Sequence, residues 1–227
     1  ASAALFGALR VLLGGDVALA EDVVDLLHSA YVTAVAARGM AAMQAHAVYR
    51  IALPARLSLG DSVVVRMFCH SVGYFLADAC NIAYEVCVRR SFPKLWAGRL
   101  VHHVIQSGAN LPSIFRTVDP EETRAMRSGL CMAYLAELSS VFLRLGSLAR
   151  RAGNRGGRRA ADWSLLVSFA GSRIVNFGFL IRCWLRARPL VAPQLFWALL
   201  CVQSSAYAMN IAWFVKLFQH AVRSSRG

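Results

Sequence analysis

Two adjacent histidines, His102 and His103, sit in a stretch from Arg99 to Phe115 that is otherwise largely apolar. His103, Gln106, Ser107 and Asn110 follow at i, i+3, i+4 and i+7, which puts them on one face of a helix. His102 points about 100° away on the same helix, so the two histidines do not read as one joint unit. His70, Asp78 and Glu137 add ionisable groups in neighbouring apolar segments. Groups of this kind gathered in a low-dielectric interior have shifted pKa values and can act as general acids and bases. On that reading His102 and His103 are the candidate catalytic residues. The competing reading is structural, with Asp78 or Glu85 paired to Arg173, and Glu137 to Arg144, holding helices together.

Other chemistries find less support. No GxSxG elbow is present for a serine nucleophile. Gly153 to Gly157, GNRGG, lacks the preceding strand that a phosphate-binding loop requires. Membrane di-iron enzymes collect many histidines at short spacings, whereas His28, His46, His70 and His220 each stand alone here. That is too few ligands for two metals. The six cysteines lie inside apolar segments without CxxC spacing and read as small buried hydrophobes.

The element that must carry this chemistry is Val63 to Val88, long enough to cross a bilayer as a helix. Arg66, His70, Tyr74, Asp78, Asn81 and Glu85 fall within about a third of its circumference. Phe68, Val72, Phe75, Ala79, Ala83 and Val86 occupy the other side and are expected to meet lipid. A helix so divided turns its ionisable side to a bundle interior or a water-filled cavity.

The composition extends this reading to the whole chain. Apolar residues make up 57% and charged ones 16% of 227 residues, and the mean hydropathy is +0.48. Several stretches approach spanning length, which argues for an all-α, polytopic transmembrane helix bundle and against soluble domains. The net charge of +13 is almost all arginine, since only Lys94 and Lys216 are lysines. Those arginines lie mostly at the ends of apolar segments, so anionic lipid headgroups are the expected counter-charge and nucleic acid is not.

Taken in order, residues 1–20 read as an interfacial helix or the remnant of a processed targeting segment, residues 21–220 as the transmembrane domain, and residues 221–227 as a basic tail. About six membrane helices are expected: Glu21 to Leu53, Ser62 to Val88, Arg99 to Phe115, Met126 to Leu148, Asp162 to Trp184 and Gln194 to Phe218. Arg150 to Arg159, with three glycines among them, read as a flexible basic loop. Arginine and lysine concentrate in the second and fourth loops and the tail, which places these on the cytoplasmic or matrix-like side.

Five runs then carry a resemblance: HSVGYFLADAC from His70, LVHHVIQSG from Leu100, AELSSVFLRL from Ala136, GFLIRCW from Gly178 and MNIAWFVKLF from Met209. Their order and spacing resemble the TLC domain, the family of the translocating-chain-associating membrane protein and the ceramide synthases. The resemblance covers roughly Ala30 to Phe218. It implies a membrane helix bundle enclosing a lipid-accessible cavity, with roles in lipid synthesis, sensing or membrane composition. In ceramide synthases the paired histidines, matching His102 and His103, and a later HD…D pattern go with acyl transfer from acyl-CoA. Where that pattern would fall this chain reads Ala136-Glu137-Leu138-Ser139-Ser140, which resembles the branch outside the ceramide synthases.

The expectation is therefore a protein that handles a lipid or fatty-acyl chain, catalytic or not, with the balance against an enzyme. Arg66, His70, Tyr74, Asp78, Asn81, Glu85, Gln106, Asn110, Glu137 and Arg173 are expected to line its cavity. That cavity is expected between Ser62 to Val88 and Arg99 to Phe115, with His70, Tyr74 and Asp78 facing His103 and Asn110. Acyl-CoA or a bound phospholipid is the cofactor-like ligand, no metal is called for, and anionic lipids and other membrane subunits are the partners. The alternative is a non-catalytic subunit of a large membrane complex. The membrane is an endomembrane or the mitochondrial inner membrane.

Overall fold

The computed structural model describes residues 8, 11–12, 15–47, 60–88, 90, 96–114 and 120–224. Among them there are helices and no strand. The helices are α1 (Val17–Ala47), α2 (Gly60–Cys87), α3 (Trp96–Ile114), α4 (Pro120–Tyr134), α5 (Glu137–Arg151), α6 (Arg155–Phe169), α7 (Asn176–Ala187) and α8 (Pro193–Ser224). α4 runs into α5 through Leu135 and Ala136, and α6 into α7 through a π-helical segment, Ala170–Val175. The described helices therefore form six long rods. Four have the length and apolarity to cross a membrane: Val63–Cys87, Ala125–Arg151, Arg155–Leu190 and Pro193–Gln219. α1 and α3 complete the six expected from the sequence but are not among these four. The expected interfacial helix over residues 1–20 lies largely outside the described residues.

Local chemistry moves several boundaries. α1 begins at Val17, ahead of the expected Glu21, because the Asp16 carboxylate accepts the Leu19 amide at 2.9 Å as an N-cap. The expected flexible loop over Arg150–Arg159 is instead a tight turn of Ala152, Gly153 and Asn154 between two helices. Gly153 takes φ +67°, a left-handed conformation that favours glycine, to close α5. Asn154 then caps α6, its Oδ1 accepting the Gly157 amide at 2.8 Å. Pro120 and Pro193 each open a helix, where their missing N–H costs nothing.

Two apolar clusters share α4. In the first, Met67, Phe68 and Phe75 of α2 meet Val32 and Ala36 of α1 and Cys131 and Tyr134 of α4. In the second, Met126 of α4 meets Leu180 and Trp184 of α7 and Phe196 and Leu199 of α8. Phe68 and Phe75 had been expected to face lipid, yet they are 0% and 3% exposed. α2 packs against both α1 and α3, so its interior arc is wider than its polar stripe. Of the six free cysteines only Cys131 is buried, and Cys69, Cys80, Cys87 and Cys201 are exposed, contrary to the expectation of buried hydrophobes. The outer surface is apolar, with Val104, Val167, Val175, Phe179 and Leu185 exposed, as lipid contact requires. α8 returns antiparallel to the α6–α7 rod: its start packs with Trp184 of α7, and Phe214 near its end stacks on Phe169 of α6 at 6.3 Å.

Candidate functional site

α5 begins where the rod it shares with α4 is broken. Leu135 and Ala136 donate to carbonyls three residues back, Met132 and Ala133, and the following turn tightens in the same way. Glu137 thereby becomes the first residue of α5, where the helix dipole favours a carboxylate. On the facing rod Arg173 lies inside the π-helical segment, a local fault often found at functional sites. The two faults meet. Arg173 donates to Ser139 Oγ at 2.7 Å, Ser140 Oγ at 3.1 Å and Asn210 Oδ1 at 3.5 Å, and its Nη2 lies 3.9 Å from Glu137 Oε1. Asn176, just past the π segment, donates to the Met132 carbonyl at 2.7 Å. Ser29 of α1 donates to the other Glu137 oxygen at 3.3 Å.

A second polar network joins α1, α2 and α5. Arg144 contacts both Asp22, at 3.0 Å, and Asp25. Asp22 also accepts from Ser147 Oγ at 2.7 Å and from Arg151 Nε at 3.2 Å. The Tyr74 hydroxyl donates to Asp25 at 2.5 Å. The His28 ring stacks on Tyr74 at 3.8 Å and on His70 at 5.5 Å, and both its ring nitrogens are buried without a hydrogen-bond partner among the described residues. Across the α2–α3 seam His103 Nε2 lies 2.6 Å from Asp78 Oδ2. This is an ion-pair contact whose direction falls outside a hydrogen bond.

The candidate residues are thus distributed over more than one place. Asp78 and His103 meet directly, and Tyr74 lies 6.2 Å from His103 ring to ring. His102, by contrast, is exposed. Asn110 is fully buried but turns away from this seam, donating to Tyr134 at 2.7 Å and to the Gln106 carbonyl. Arg66 is exposed, while His70, Asn81, Glu85 and Gln106 are half-buried. Arg173 pairs with Glu137, not with Asp78 or Glu85, and Arg144 pairs with α1, not with Glu137. The last follows from helix geometry: Arg144 lies seven residues, about 10 Å, beyond Glu137 along α5, at the level of the α1 acids. Asp22, Asp25 and Ser29 escaped the sequence reading, which took His28 for an isolated histidine. Their signal was available, because this set falls along one side of α1 at helical spacing.

A cavity of about 270 Å³ opens between α5, α6 and α8. Leu143, Leu165, Phe169, Trp213 and Leu217 form its apolar walls. Ser139, Ser140, Arg173 and Lys216 supply its polar groups. Its size is near the lower end for small-molecule sites. Chemically, the Asp78 carboxylate could orient His103 as a base, and the cavity could take an apolar chain. Among the described residues no group of three or more His, Cys, Asp or Glu side chains is arranged to hold a metal.

A family model of the TLC domain matches residues 18–219, nearly the whole chain. No curated protein and no solved structure matches it. With its apolar helices, its lipid-facing outer surface and this match, the chain is an integral membrane protein and belongs to the TLC-domain family.

Proposed function

We propose that this protein holds the acyl chain of a lipid in the open, groove-like cavity between α5, α6 and α8. The cavity itself carries this reading: an apolar slot ends on a polar cluster at membrane depth, and water has little hold on such a space. Arg173 is one of its walls. Binding, not turnover, is the favoured role, because His103 and Asp78 pair across a different seam from the cavity. Were turnover to occur, acyl-CoA would be the donor and His103 the base. The exposed Arg150, Arg155, Arg158 and Arg159 at the α5–α6 turn suit anionic headgroups of an endomembrane or the mitochondrial inner membrane.

The test is lipid analysis of protein purified in mild detergent. Leu165→Trp, which fills the slot, should strip co-purifying lipid while the thermal unfolding curve stays cooperative. Unchanged lipid content in a folded Leu165→Trp protein would sink the proposal.

One observation favours a second reading, a structural subunit of a larger membrane complex. Most charged groups at the junction of α1, α2 and α5 are already paired with one another, as in an interior built for cohesion. Co-migration with a large assembly after gentle extraction, with no bound lipid, would favour it.

A further inference from the structure

Among the described residues, the cavity holds one cation without an acidic partner. Arg173 is engaged by Glu137, Ser139, Ser140 and Asn210. Lys216, on the α8 wall, has no acidic partner among the described residues. No Asp or Glu lines the cavity. Lys216 lies in the last third of α8 (Pro193–Ser224), from where its long side chain can extend toward the helix end while the walls beside it stay apolar. Along α6 the apolar walls continue inward, from Leu165 about 15 Å past Arg155 to Phe169 about 21 Å past it.

From this arrangement we infer that the cavity's ligand is a long-chain fatty acid, its carboxylate on Lys216 and its chain along Leu143, Leu165 and Phe169. This rests on the lipid-binding reading above and adds the ligand class. The one positive charge without an acidic partner among the described residues matches a monoanion. A compact ammonium contacts a carboxylate as a point charge with strong hydrogen bonds. A cavity of about 270 Å³ suits one chain better than the two of a phospholipid. The rival occupant is bulk phospholipid, whose phosphate Lys216 would reach by extending toward the headgroups.

The experiment uses the full chain in phosphatidylcholine nanodiscs, titrated with spin-labelled stearic acid and with spin-labelled stearyl alcohol of the same length. The immobilised fraction is read by electron paramagnetic resonance. The acid should bind about tenfold more tightly than the alcohol, as one charge-assisted contact implies. Lys216→Gln should bring the acid down to the alcohol's affinity and leave the alcohol unchanged. Leu165→Trp should weaken both. If Lys216→Gln leaves the acid's advantage intact, the ligand class is overturned while lipid binding stands. If Leu165→Trp changes neither probe, the lipid-binding reading itself fails.

Discussion

Glu137 and Arg173 face each other from two broken helices. The carboxylate starts α5 after a tightened turn, the guanidinium sits in the π segment between α6 and α7, and they lie 3.9 Å apart with mostly buried side chains. At the α4–α5 break the pair's neighbours add bonds to carbonyls in tightened turns: Ser139 Oγ donates to the Ala136 carbonyl at 2.9 Å and Asn176 to that of Met132. Regular α-helix at either place would carry one partner around the rod and away from the other.

Breaking this pair from one side strands a buried charge. Glu137→Gln and Arg173→Met should each cost about 3 kcal/mol. The double variant should lose clearly less than the sum, since neither charge is then left alone. Thermal unfolding in a single detergent provides the ranking, and strictly additive losses would show that the two are not coupled.

The acids of α1 should differ sharply in weight. Asp22 is buried and takes Arg144, Ser147 and Arg151, so Asp22→Asn should destabilise by about 2–3 kcal/mol. Asp16 reaches Arg151 only at 3.6 Å with both side chains exposed, and Asp16→Leu should cost about 1 kcal/mol at most, its lost N-cap included. Equal losses would mean that the network does not anchor α1 to α5.

Gly129 lies where Trp184 crosses α4. A Cβ placed there would overlap the Trp184 indole ring, so Gly129→Ala must displace it, at about 1–3 kcal/mol. Trp184→Leu in the same chain should recover part of that loss. A stable Gly129→Ala protein with unaltered tryptophan fluorescence would contradict the packing.

The antiparallel return of α8 fixes a topology. Arg155, opening α6, and Arg223, near the end of α8, are separated by two crossings and should share one side of the membrane. Single cysteines at these positions, in a chain whose native cysteines are alanine, should label with an impermeant reagent from the same face. Labelling from opposite faces would remove one crossing.

The linear sequence determined the class of this protein and its rods. Runs of apolar residues long enough to span a bilayer leave no soluble alternative, because each backbone polar group in hydrocarbon must be satisfied within its own helix. It also marked Asp78, His103, Glu137 and Arg173 as groups that lipid could not surround, since the cost of an ionisable side chain depends on depth along the chain. Partner choice was decided elsewhere. Helical periodicity assigns a residue to a face but says nothing of which rod that face meets, and so Arg173 was assigned to α2 when α5 holds its carboxylate. The break at Leu135–Ala136 and the π segment at Ala170–Val175 were invisible for the same reason: neither contains a proline, and both lie where polar contacts join two rods, Asn176 to the Met132 carbonyl and Arg173 to Ser139 and Ser140. The cavity's place followed from packing as well. Asp78 and His103 meet where α2 packs on α3, and a gap lies where Leu143, Leu165 and Trp213 come together from three different rods.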